Sequence, residues 1–326
     1  MIDKNVEVII HIGRHKSGTT SIQHELHVQE SSLSNNGAIY SKVGRSGSGF
    51  ANHKLAVACQ QLDFEKLKSF KIQIEQELRS THQLIFSSEG FQNLHDPSIL
   101  FDLIPVGVRK KVVVYLRDVV SYLATSYAQR IQSSDLNSGF AEYALNRKVD
   151  YERFISKWAK LSDSIIVRLY DPRYLKGGDA VVDFFSTLDI ALDSDGFHRK
   201  HLNPSIGGNL LFAKLLLNRL PMEIDRSKAY NSLASAALQS DRFQSGFWIC
   251  DSLVAALRIE NKSNYEYLRQ MFGYEETTSF GDRPLSPDIA TIREDLVHLA
   301  SFPGLENLEK LQRMDAKHFG RQVGSH

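Results

Sequence analysis

Cysteine is scarce. Cys59 and Cys250 are the only two in 326 residues, and they stand far apart. Such a pair builds neither the disulfide framework of a small secreted domain nor a thiolate metal site. Two small thiols packed in or half in the interior are expected. Net charge is nearly absent as well. The 39 Lys and Arg offset 38 Asp and Glu to a formal +1, which excludes a strongly basic nucleic-acid protein, an acidic tail and a highly charged disordered chain. A few cations gathered in one site are still compatible with that balance. Long apolar runs are missing too. No stretch reaches the ~18 apolar residues of a membrane helix, and the most apolar helical segment, Gly208 to Leu220, is broken by Lys214, Asn218 and Arg219. The opening Met1-Ile2-Asp3-Lys4-Asn5 has an early acid and no apolar core, so no signal peptide is predicted and a reducing cytoplasm is the simplest setting. No internal repeat or low-complexity tract is visible, and no cluster of His, Cys or carboxylates has metal-ligand spacing.

What remains is an ordinary globular composition, 42% apolar and 24% charged, in a chain long enough to bury a large core. Val6 to Ile12, Gln83 to Ser88, Lys111 to Arg117 and Ser164 to Tyr170 are short, apolar and rich in β-branched residues, the pattern of strands buried on both faces. A short strand is also expected near Ala38 to Tyr40, inside a stretch from Ser31 to Gly49 that otherwise reads as loop. Helical patterns fall between: Thr19 to Gln29, Asn52 (as N-cap) to Gln61, Asp63 to Arg79, Val119 to Gln132, Tyr151 to Leu161 and Asp179 to Leu188. Strands alternating with helices predict an α/β fold, a central parallel sheet flanked by helices. Beyond about Gly207 the strand signal stops. Helices are expected over Gly208 to Leu220, Ser227 to Gln239, Phe247 to Ile259, Asn264 to Phe272, Pro287 to Leu299 and Leu305 to Phe319. The expected division is an α/β core over 1–206 and a helical C-terminal subdomain over 207–326.

The segment after the first strand carries the most chemistry: His11-Ile12-Gly13-Arg14-His15-Lys16-Ser17-Gly18-Thr19-Thr20. A strand feeds a glycine-bearing loop that closes on a helix start, where unpaired backbone N–H groups and the helix dipole favour an anion. Lys16 adds a mobile cation, and Ser17, Thr19, Thr20 and Ser21 add hydroxyls. The pattern suits a phosphate group; the plain alternative is a βα turn with a hydroxyl cap. It is not a Walker A sequence, which ends in Gly-Lys-Ser/Thr.

Lys16-Ser17-Gly18-Thr19-Thr20 resembles the 5′-phosphosulfate loop of sulfotransferases that use 3′-phosphoadenosine-5′-phosphosulfate (PAPS), with His15 where that family commonly has Pro. The stretch to Gln23 is most similar to the bacterial branch. A second element points the same way. The family carries Arg at the end of a later strand and a hydroxyl residue eight positions on, both holding the 3′-phosphate. Here the strand Val112 to Leu116 ends at Arg117-Asp118, Val119 replaces the family's Pro, and Thr125 stands where the hydroxyl belongs, with Ser126 taking the role if the helix is offset by one residue. The resemblance covers roughly residues 6 to 206. It implies a P-loop-like sulfotransferase fold, PAPS as co-substrate with no metal required, and a nucleotide site made of Arg14, Lys16, Ser17, Gly18, Thr19, Thr20, Arg117 and Thr125. Arg14 reads equally well as a solvated loop cation.

Sulfuryl transfer needs positioning, charge stabilisation at the leaving oxygen and a general base. Lys16 is the candidate for the leaving oxygen. Glu89, just past the third strand, and His53, at a helix start, are the candidates for the base, each with a structural alternative: a capping carboxylate and a backbone-bonded imidazole. His11 lies in a strand and reads as core. Arg199 and Lys200, in the basic stretch His198 to Ser205, read either as a loop closing on the 3′-phosphate or as a solvated linker, and Gln129 and Arg130 are weaker candidates facing the acceptor. The motifs do not name the acceptor: the resemblance suggests a bacterial cell-surface or exported carbohydrate, a small metabolite, lipid or natural product stays open, and Trp158, Trp248 and several Tyr are available as platforms. Two other readings stay open: a nucleotide kinase of related fold and a non-catalytic nucleotide-binding protein.

Overall fold

The five strand patterns form one parallel sheet. The computed structural model of the chain describes residues 6–14, 17–45, 49–192, 206–219, 226–240, 243, 249–276 and 291–308. The strands are β1 (Glu7–Ile12), β2 (Ala38–Tyr40), β3 (Gln83–Ser88), β4 (Arg109–Leu116) and β5 (Ser164–Leu169), in the order β2-β3-β1-β4-β5 with every neighbour parallel. β1 has no exposed residue, as expected for a strand covered on both faces. On one face Ile9, Ile85, Val113 and Tyr115 pack with Ile22, Leu26, Val181, Phe184 and Phe185.

The helices are α1 (Thr19–Val28), α2 (Glu30–Asn35), α3 (His53–Gln61), α4 (Phe64–Glu77), α5 (Ser98–Phe101), α6 (Val119–Ser133), α7 (Phe140–Leu145), α8 (Tyr151–Ala159), α9 (Ala180–Thr187), α10 (Gly208–Arg219), α11 (Arg226–Gln239), α12 (Asp251–Glu260), α13 (Lys262–Phe272) and α14 (Ile292–Ala300). Asp63, Asp150 and Asp179 cap α4, α8 and α9, each accepting from a backbone N–H of the first turn. Asn52 departs from the expected cap. It sits at the N-cap position of α3 without a capping bond. Its buried amide instead donates to Ser41 O and Val43 O and accepts from Ser87 N. α2 forms inside the stretch expected to be loop, because Leu33 is drawn into the core cluster and tertiary burial outweighs the weak propensity of its Ser and Asn neighbours. The expected helix over Leu305 to Phe319 lies mostly outside the described residues, as do His198 to Ser205 and Trp248.

The chain forms two compact units that differ from the expected division. One comprises 1–118 and 150–202; the other comprises 119–149 and 203–326. The expected core over 1–206 included α6, but α6 packs with α7, α10, α11 and α12. Its apolar face finds its partners among the C-terminal helices. The sheet and its covering helices make the first unit, and the second is helical among the described residues. Cys59 is buried and Cys250 half-buried, both free; burial pushes the Cys59 thiol up to about 12. No helix among the described residues is long and apolar enough to cross a membrane.

Candidate functional site

In the first unit β1 leaves toward β2 on one side and β4 toward β5 on the other. The connections diverge between the carboxyl ends of β1 and β4, which is where open α/β sheets bind ligands. Ile12 is level with Ser88 on β3 and Val114 on β4. The ladder continues one step beyond the strands, with Gly13 N donating to Ser88 O at 3.1 Å and Tyr170 N donating to Leu116 O at 2.6 Å. Gly13, Arg14, Glu89, Arg117 and Tyr170 therefore share one edge.

The loop closes on the carbonyl of Arg14. Ser17 N and Oγ donate to it at 3.2 and 2.8 Å, and Thr19 Oγ1 donates at 3.3 Å. The hydroxyls of Ser17 and Thr19, expected to face an anion, are buried and hold the loop in this form, while Thr20 is half-buried. Gly18 takes the left-handed conformation (φ 75°) before α1. Lys16 and His15 lie outside the described residues.

Both glycines are close approaches. A methyl group at Gly13 would lie 2.4 Å from Thr19 Cγ2 and 3.0 Å from Glu89 Cγ, so the Glu89 side chain passes directly against the loop. At Gly18 it would lie 2.8 Å from Tyr170 Cε2 and 2.9 Å from Ala180 Cβ. At Gly90 it would lie 3.4 Å from His53 Nδ1. Half-buried Glu89 thus stands against the loop, and exposed His53 stands beside Gly90, the next residue in the chain.

Two arginines complete the edge. Arg14 is buried, its guanidinium 5.0 Å from the Tyr151 ring centroid and 4.6 Å from that of Phe154, so it is not a solvated loop cation. Arg117 is half-buried and stacks on the Tyr170 ring at 4.6 Å; burial lowers its pKa, opposed by the nearby tyrosines and Asp118. Stacking against aromatic faces holds both cations in place. Tyr151 and Tyr170 were not among the sequence candidates. The only sequence signal for them was position: one opens a helix, the other ends a strand.

The remaining candidates lie on other elements. Thr125 and Ser126 lie on α6 in the second unit. Thr125 Oγ1 donates to Ser121 O and Tyr122 O, and buried Ser126 shares a 2.8 Å bond with the Tyr143 hydroxyl. Half-buried Gln129 and exposed Arg130 lie on the same helix. Trp158 is fully buried against Phe101 and offers no platform. His11 is core, as expected: its Nδ1 bonds Ser87 Oγ at 2.8 Å, Gln23 Nε2 donates to the same oxygen, and burial lowers its pKa to about 3. Among the described residues no cluster fit for a metal occurs.

No family model matches the chain. An uncharacterized protein of Archaeoglobus fulgidus is 27% identical over 198 residues, 58% of this chain and 54% of that protein; the chain spans about half the length of this curated relative. A solved chain from the PezAT toxin–antitoxin system of Streptococcus pneumoniae covers 71% of this chain and 88% of its own length, at 11% identity and a TM-score of 0.28.

Proposed function

We propose that the protein is a PAPS-dependent sulfotransferase acting on a hydroxyl or amine of a carbohydrate or small metabolite. The observation that carries this reading is the meeting, where the connections from β1 and β4 diverge, of the glycine loop with Arg117, joined through Tyr170. The glycine loop and Arg117, the strand-end arginine of the second element, share one edge of one sheet. The donor set suits a nucleotide with two anionic ends: a helix start and Arg14 at the loop, and a second aromatic-backed arginine at the next strand exit. Lys16 stabilises the leaving phosphate oxygen, and Glu89 or His53 takes the acceptor's proton. The acceptor oxygen or nitrogen bonds to sulfur as the sulfur–oxygen bond to the phosphate breaks, and adenosine 3′,5′-bisphosphate leaves.

The test is calorimetry with adenosine 3′,5′-bisphosphate, followed by a PAPS transfer assay against an acceptor library read by mass spectrometry. Arg117→Ala is expected to weaken the bisphosphate by about 1.5–3 kcal/mol, the range for a charged hydrogen bond, and to leave the affinity for adenosine 5′-phosphosulfate nearly unchanged. Equal affinity of the wild type for the two nucleotides would remove Arg117 from the 3′-phosphate. Magnesium-dependent ATP turnover would replace the reading with a kinase, and tight binding without transfer to any acceptor would leave a nucleotide-binding protein.

A further inference from the structure

We infer that Tyr151 is a positioning residue of the anion site, holding Arg14 with its ring and the Arg117 backbone with its hydroxyl. The inference rests on the anion-binding reading above, but its observations are its own. Tyr151 opens α8, and the Asp150 cap, accepting from Arg153 N at 2.9 Å, fixes where that helix begins. The side chain is fully buried. One face of its ring lies 5.0 Å from the Arg14 guanidinium, and its hydroxyl donates to Arg117 O at 2.7 Å. Arg14 follows β1 and Arg117 follows β4, so one side chain spans the two strand exits at which a ligand would sit.

Tyr170 closes the other side, touching Gly18 and stacking on Arg117. Arg117 is thus tied to both ends of the glycine loop: to Arg14 through Tyr151 and to Gly18 through Tyr170. A rigid tyrosine with few rotatable bonds suits this task, because groups fixed in advance need not be ordered when the ligand arrives.

The experiment compares wild type, Tyr151→Phe and Tyr151→Leu in the full chain. Tyr151→Phe keeps the ring under Arg14 and loses the bond to Arg117 O, so adenosine 3′,5′-bisphosphate is expected to bind about fivefold more weakly. Tyr151→Leu loses both and is expected to weaken it about 20-fold. A merely structural tyrosine would lower the melting temperature of the free variants and leave the dissociation constant of the folded protein unchanged, and that result overturns the inference. If Tyr151→Leu does not fold, the isosteric Phe variant decides alone.

Inorganic sulfate, titrated at low ionic strength, separates this inference from the nucleotide reading. A wild type that rejects the bisphosphate but binds sulfate more tightly than Tyr151→Phe refutes the nucleotide and keeps the positioning role. A wild type that binds neither overturns both.

Discussion

Gly18 shows how much one position can carry. Its φ of 75° is a conformation that side chains with a Cβ rarely adopt, and an added methyl would lie 2.8 Å from the Tyr170 ring and 2.9 Å from Ala180 Cβ. Gly18→Ala is therefore expected to cost about 2 kcal/mol, read as a drop in urea unfolding free energy, and to push Tyr170 off Arg117. An unchanged unfolding midpoint would mean that the loop has another conformation of similar energy. His11 carries a different kind of strain. Burial lowers its pKa to about 3, against roughly 6.5 in an unfolded chain. Between those values the unfolded state binds a proton that the native state does not, so stability is complete above 6.5 and falls as the pH drops toward 3. Wild type is expected to lose about 1.4 kcal/mol per pH unit below 6.5 beyond the loss of His11→Gln, measured by urea unfolding at successive pH values; parallel curves would refute a neutral buried imidazole.

Asp183 does for the elements what Gly18 does for the loop. On α9 it accepts from Tyr115 Oη of β4 at 3.0 Å, from Arg168 Nε of β5 at 2.8 Å and from Lys176 N at 2.8 Å. Burial raises its pKa, but the Arg168 pair and the bonds from Lys176 N and Tyr115 together outweigh that and hold the carboxyl below its usual range. Asp183→Ala leaves the Tyr115 hydroxyl without its acceptor and takes the counter-ion from Arg168, which keeps its bond to Tyr174 O, and is expected to cost about 3 kcal/mol in guanidinium unfolding. The value is the low end for a buried pair, since Arg168 keeps a third of its side-chain surface; a loss under about 1 kcal/mol would place the pair with ordinary surface bridges. Elements of this kind were legible to different degrees. The strands were readable because burial on both faces selects β-branched runs, and the glycine loop because only certain residues fit a strand-to-helix turn that leaves amides open. The tyrosines at 151 and 170 were not. Their significance exists only after the sheet order sets β4 between β1 and β5, and nothing local distinguishes them from any core ring. Ser17 and Thr19 were readable as loop residues but not as residues turned inward onto the Arg14 carbonyl.

At the scale of the molecule, the chain crosses between its two units three times, near residues 118, 149 and 202. Sequence pattern placed a single boundary near 206, because α6 follows β4 directly, as a covering helix of the sheet would. Its buried positions, among them Val120, Tyr122, Leu123, Tyr127 and Ile131, could belong to either unit on periodicity alone. The helix packs with α10, α11 and α12, and α10 in turn buries an almost continuous apolar run from Leu210 to Leu217. A fragment ending at Leu202 would therefore leave α6 with much of its apolar face in water, at about 25 cal/mol for each Å² exposed, and with a patch prone to association. The expected outcome is that residues 1–202 express as insoluble or aggregating protein. Residues 1–118 joined to 150–202 through a flexible linker are expected to be soluble and, by circular dichroism, to keep the signature of the sheet. Size-exclusion chromatography checks both. A monodisperse 1–202 fragment would show that α6 can find its burial within the first 202 residues, and would restore the single boundary that the sequence pattern implies.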